Sequence, residues 1–322
     1  MTNIPHLTKR FLLCGTFICV CLFLEDIRPI LQPHQITLGK NPVLFWTDKI
    51  SALPSYDILF LGDSRTLCGI DPIQIEKQLP GVQALNFAFS GGGLNPELYQ
   101  LAQEKIRPGP GNRMVVLGIT PQSLTKHALD NHHYHDLQKK QEWWWMRTLH
   151  LYGLHGIFEP FKLPLLVNTL KLMLSGKEVP KSFQEFHPGG WLALWAIPPQ
   201  PGRNIAIYDQ KFVNNPILPE LEEALFAQTK EWHKKGWQII SFRPPAEPDL
   251  IHLEMVKSHF NEQKFIQKFQ EAGGVWLNFT SGTYHTYDGD HLEKKSAIQF
   301  SQDLSRPLAE LFKEHDALRA KN

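Results

Sequence analysis

Two short stretches hold the side chains best suited to chemistry. Ile58, Leu59, Phe60 and Leu61 form a buried-strand pattern that stops at Gly62, and Asp63 and Ser64 follow at once. A serine on the turn between a strand's carboxyl end and a helix stands where α/β enzymes expose a nucleophile. The second stretch, Tyr287-Asp288-Gly289-Asp290-His291-Leu292, follows another strand-like run, Gly274 to Phe279. A hydroxyl attacks carbonyls poorly until a base removes its proton, and that base must itself be oriented. Asp288 and His291, three residues apart, fit those roles: the carboxylate holds one imidazole nitrogen while the other faces Ser64. Asp290 adjoins the histidine but is expected to point away. Each stretch also has a plain reading. Gly-Asp-Ser is ordinary turn chemistry, and Asp290 would cap a helix starting near Leu292. Their pairing in this order favours the catalytic reading.

With those blocks in view, the chain resembles the SGNH (GDSL-type) hydrolase superfamily over most of residues 55 to 312. Gly62-Asp63-Ser64 matches the first block, Asn86 followed by Ser90-Gly91 the second, and Asp288 to His291 the last. The resemblance implies Ser64 as nucleophile, His291 as base and Asp288 as its orienter, with the Ser64 and Gly91 N–H groups donating to an oxyanion. Such donors are usually the largest catalytic contribution, each worth roughly a hundredfold or more in rate. The third block departs from the family. Gly118-Ile119-Thr120-Pro121 stands where Gly-x-Asn is usual, so Thr120 is either a third oxyanion donor or a cap of the next segment. Arg65 directly after Ser64 alters the family's turn. Within the superfamily the wording resembles membrane-anchored cell-envelope members, such as those of D-alanyl-lipoteichoic acid transfer and alginate acetylation.

Phe11 to Leu24 carries no charge, with Lys9 and Arg10 before it and Glu25 and Asp26 after. A spanning helix wants about 20 apolar residues, so this one is short. It is expected to be an uncleaved signal anchor (residues 1–24) ahead of a cleaved signal, because no small-x-small site follows Leu24. The basic flank places the N-terminus in the cytoplasm and the body outside, periplasmic or at the cell surface. With 33 basic and 32 acidic residues, net charge +1, no global field favours nucleic acid. Three of the four cysteines lie in the apolar segment and only Cys68 in the body, which leaves no intradomain disulfide.

The elements that must position the two stretches follow from alternating patterns. Five strands are predicted over Ile58–Leu61, Ala84–Phe87, Met114–Leu117, Gln238–Phe242 and Val275–Leu277. Helices are predicted over Pro72–Leu79, Pro96–Lys105, Leu218–Lys235, Leu250–Glu271 and about Glu293–His315, the last broken or kinked by Pro307. Strands alternating with helices imply an α/β fold with a doubly wound five-stranded parallel sheet, and the resemblance implies the flavodoxin-like form of it that SGNH proteins have. Residues 25–54, rich in proline, read as a linker. Residues 55–120 and 216–322 form the hydrolase-like domain.

The stretch 121–215 is too long for one crossover and reads as a helical, aromatic-rich insertion. It holds Trp143, Trp144, Trp145, Trp191 and Trp195. These either shape a substrate cap, since aromatic faces stack on sugar rings, or fill a small core of their own. Arg65 and Arg243, at the same sheet edge, are candidates for contacting an anionic substrate group; Arg243 would otherwise satisfy loop carbonyls. The run Asn131 to Asp136, with three histidines, reads as a solvated turn, and no metal or cofactor is expected. Together these readings point to an esterase or O-acyltransferase using an acyl ester donor and, for transfer, a glycan acceptor. A membrane-protein partner is compatible with the anchor. The alternative is a non-catalytic envelope protein that binds glycan or a membrane partner.

Overall fold

A computed structural model describes residues 36–131, 133–142, 181–280 and 282–319, together with positions 171 and 174. The elements are β1 (Ile36–Gly39), α1 (Pro42–Ile50), β2 (Ile58–Gly62), α2 (Ser64–Gly69), α3 (Pro72–Gln78), β3 (Ala84–Asn86), α4 (Pro96–Gln103) and β4 (Met114–Gly118). A 3₁₀ turn (Pro121–Leu124), α5 (Lys126–Leu129) and α6 (His133–Glu142) follow. After them come β5 (Lys181–Phe186), β6 (Leu192–Ile197), α7 (Ile205–Lys211), α8 (Pro219–Lys234) and β7 (Gln238–Phe242). The chain closes with α9 (Pro248–Ser258), α10 (Glu262–Glu271), β8 (Val275–Leu277) and α11 (Lys294–Arg319).

Five strands form an all-parallel sheet in the order β3-β2-β4-β7-β8. Numbered among themselves they run 2-1-3-4-5, the doubly wound order whose ligand crevice opens where the first and third strands part. Those strands are β2 and β4. Both sheet faces are covered, as the unbroken apolar runs require. Leu59, Leu61, Val115 and Leu117 point to one core with Tyr99, Trp232 and Phe269; Ile58, Phe60, Met114 and Val116 point to the other with Ile75, Phe300 and Leu304.

All five strands fall where the sequence places them. Three expectations are corrected. The expected linker contains β1 and α1, with Phe45, Lys49 and Ile50 buried. The predicted Leu250–Glu271 helix is two, because His259 turns left-handed (φ 55°) and ends α9. The insertion is not purely helical. Its β5 and β6 pair antiparallel, and β1 joins β5 to make a second, three-stranded sheet. Here Trp191 is buried and stacks on His187, while half-buried Trp195 stacks on Phe183. Trp143, Trp144, Trp145 and the expected anchor lie outside the described residues. Among the described residues no helix is long and apolar enough to cross a membrane. Pro307 lies within α11 without ending it.

Candidate active site

The end of β2 is built to present Ser64. Asp63 caps α2, its Oδ1 accepting from the Arg65 N–H at 3.0 Å, so Ser64 becomes the helix's first residue. Helix α2 must lie close on the sheet for this. Gly62 and Gly118 are register partners, and a Cβ on either would fall 2.2 or 2.0 Å from Thr66 Oγ1. Only glycine fits under the helix there. Further along, Asn86 Nδ2 donates to the carbonyls of Thr66, Leu67 and Ile70 at 2.9, 3.2 and 2.9 Å. The Trp191 indole donates to the Cys68 carbonyl at 2.8 Å. These bonds satisfy carbonyls that the short helix leaves open and fix its direction.

The other half of the site is a tight loop before α11. Tyr287 N–H donates to the His291 carbonyl at 3.1 Å, and Thr286 bridges Leu292. Gly289 is left-handed (φ 96°), and a Cβ there would sit 2.2 Å from the Pro201 carbonyl. Inside the loop, Asp288 Oδ1 accepts from the N–H groups of Asp290 and His291 at 3.0 and 2.8 Å. Its Oδ2 lies 2.8 Å from His291 Nδ1 and accepts from Asn204 Nδ2 at 2.9 Å. His291 Nε2 is 2.8 Å from Ser64 Oγ. With Asp288 ionised, Nδ1 carries the proton, and Nε2 is left to accept from the serine hydroxyl. Ser64, His291 and Asp288 therefore form one unbroken hydrogen-bond chain at the β2 rim. Gly91, in a left-handed turn (φ 63°), follows a segment in which Phe89 N–H donates to the Gly62 carbonyl. That places it beside the same strand end.

Burial and charge oppose each other here. Burial alone would lower the His291 pKa, but the Asp290 carboxylate and the Asp288 hydrogen bond outweigh it and raise the ring above its ordinary value. For Asp288, burial is overcome by the bond from His291, and the carboxyl is held below its usual range. Burial also works against Asp290 ionising, yet Arg65 keeps it strongly acidic. Burial prevails at Asp63 and pushes its carboxyl up, despite Arg65 and Thr120.

Several expected site residues take other work. Thr120 is fully buried; its hydroxyl donates to Asp63 Oδ2 at 2.6 Å and accepts from Ser123 N–H at 3.1 Å. It caps the 3₁₀ turn, so it has no proton left for an oxyanion. Arg65 is 2% exposed and bound at both ends, to Asp290 through Nε and to Glu254 at 3.1 and 2.6 Å. Arg243 pairs with Glu254 at 3.0 Å and Glu262 at 3.2 Å. Both guanidiniums are thus occupied by carboxylates, which removes them as anion contacts for substrate. Asp290 does not point away from His291, because Arg65 and Tyr208 draw its carboxylate inward.

Asn204, Tyr208 and Glu254 were missed from sequence. Asn204 and Tyr208 sit four apart at the start and on the first turn of α7, a spacing that shares one helix face. That spacing was the available signal. Among the described residues no group of His, Cys, Asp or Glu is arranged to hold a metal ion, and His133–His135 begin α6.

No family model and no curated protein matches the chain. One solved chain, from Streptococcus pneumonia and described provisionally as a platelet activating factor, aligns with 91% of this chain and 99% of its own. The identity is 10% and the TM-score 0.33, too low a superposition to establish a common fold.

Proposed function

We propose that the protein is a serine acyl-ester enzyme of SGNH type, an esterase or O-acyltransferase. The observation that carries this reading is the chain Ser64 Oγ–His291 Nε2–Asp288 Oδ2, with both links at 2.8 Å. His291 takes the Ser64 proton as the oxygen attacks an ester carbonyl. The Ser64 and Gly91 N–H groups hold the negative oxygen of the tetrahedral intermediate. Collapse expels the alcohol, which receives the proton from His291, and leaves an acyl group on Ser64. His291 then deprotonates either water, giving hydrolysis, or a sugar hydroxyl, giving transfer. The apolar N-terminal segment and its basic flank support a membrane-anchored protein acting outside the cytoplasm, on a glycan or lipid-linked substrate of the envelope.

One observation favours the binding alternative: the Thr120 hydroxyl is consumed by Asp63, which takes away a possible third oxyanion donor. A fluorophosphonate probe separates the two. Labelling of the folded wild type that disappears in Ser64→Ala supports catalysis. No labelling of folded wild type supports a protein that only binds.

A further inference from the structure

Asp290 is not part of the hydrogen-bond chain, yet it stands beside the atom that moves the proton. Its Oδ2 is 3.7 Å from His291 Nε2, the nitrogen that meets Ser64 Oγ at 2.8 Å. At that distance it does not compete with the serine for a hydrogen bond and acts through charge alone. The carboxylate is 1% exposed, so the surroundings must hold it. Arg65 donates to Oδ1 through Nε, and the Tyr208 hydroxyl lies 2.9 Å from both oxygens. Glu254 orients Arg65 from the far side, and Arg243 and Glu262 continue the alternation outward. Lys211 sits 3.7 Å above the Tyr208 ring and adds positive charge behind Asp290.

We propose that Asp290 is a positioning residue of the site, fixed by Arg65 and Tyr208 so that the imidazolium of His291 forms between two carboxylates. Asp288 steadies the Nδ1 side and Asp290 the Nε2 side. Among the described residues, the groups facing the ring are Ser64 and Arg65 from α2, and Asp288, Asp290 and the stacked Tyr287 from its own loop. Tyr208 and Lys211 of α7 and Glu254 of α9 act on it through Asp290 and Arg65. Arg65 opposes the effect, and without its partner Glu254 it would cancel more of it. The proton arriving on Nε2 creates a positive charge, and a fixed carboxylate nearby favours that charge without needing to reorganise. The importance of Asp290 for turnover rests on the acyl-enzyme reading, but its effect on the ring does not.

The test therefore reads the ring in protein lacking the serine. In Ser64→Ala, the His291 imidazole is titrated by NMR, alone and with Asp290→Asn added. The midpoint is expected above the ordinary 6.5 in the first protein and lower by about one unit in the second. Equal midpoints overturn the proposal, whether or not the wild type turns over esters. In active protein, Asp290→Asn should shift the acid limb of kcat/KM by the same amount and lower kcat with KM little changed; an unmoved limb overturns it. Should Asp290→Asn not fold, Tyr208→Phe keeps the charge and strips its hydroxyl donor. With one of its two holders gone, Asp290 is less well fixed beside Nε2 and the His291 midpoint is expected to fall; a midpoint that stays or rises overturns the proposal.

Discussion

Replacing Arg65 with methionine should damage the protein's stability in a way that depends on pH. The side chain is 1% exposed, Glu254 0% and Asp290 1%, so removing the guanidinium strands carboxylates with no access to water. Breaking a buried pair from one side typically costs about 3–5 kcal/mol. Glu254 keeps Arg243 at 3.0 Å, which places the expected loss near the lower end, about 3 kcal/mol. The sign of the pH dependence follows from Asp290. Its pKa is depressed in the folded wild type, so its contribution is present above the unfolded value of 3.8 and is lost as pH falls through the folded one. Without Arg65 burial dominates, the folded pKa rises, and protonation relieves the penalty. The deficit should be larger at pH 8 than at pH 5. Urea unfolding followed by tryptophan fluorescence reads this as a lower midpoint at unchanged slope. Changing Glu254 to leucine as well should recover part of the loss, since apolar replacement of a buried pair is often tolerated. A single variant within about 1 kcal/mol of wild type at both pH values would refute the reasoning, because a truly buried charge cannot lose its partner so cheaply.

Other perturbations reach the site by different routes. Asn204→Ala removes one donor to Asp288 and leaves the backbone donors, so ester kcat should drop by about tenfold with little change in thermal midpoint; an unchanged kcat counts against the Asn204 role. Thr120→Val leaves the buried Asp63 carboxylate without its hydroxyl donor, and a stability loss of about 1–3 kcal/mol is expected in chemical unfolding. Fluorophosphonate labelling of Ser64 should persist in that variant, since the hydroxyl is turned away from the reaction. The acid limb of the kcat/KM profile should have its midpoint above pH 6.5, with activity lost as pH falls, because protonated His291 cannot accept the serine proton. A limb at or below 6.5 would contradict the charge arrangement around the ring.

Much of this architecture could be read from local pattern. The five strands are short apolar runs between turn residues, and such runs depend little on distant parts of the chain. Ser64 and His291 were legible because each sits at a fixed offset from a strand or from Asp288. Their meeting required only the parallel order of the sheet. What stayed hidden is what depends on distant pairing. Arg65 meets Glu254 across 189 positions and Asp290 across 225, and nothing in its neighbourhood distinguishes an arginine bound there from one facing substrate. The Thr120 hydroxyl was ambiguous for a related reason: a cap and an oxyanion donor call for the same residue at the same strand end. The β5–β6 pair escaped because Lys181–Phe186 alternates weakly and it is β6, not β5, that packs on α2 and α11. Beside His291 in sequence, Asp290 is expected to point away from the ring, a local reading overridden by a buried guanidinium.

The most direct measurement is of covalent chemistry at residue 64. Folded protein is mixed with an activated acetyl ester, quenched in acid within a fraction of a turnover, and digested for mass spectrometry. An acetyl increment on the peptide containing Ser64 is expected in wild type. It should be absent in Ser64→Ala and should form roughly a thousandfold more slowly in His291→Ala. An unmodified Ser64 peptide in wild type that is cleaving the ester, or equal labelling rates with and without the histidine, would contradict a nucleophile activated by His291.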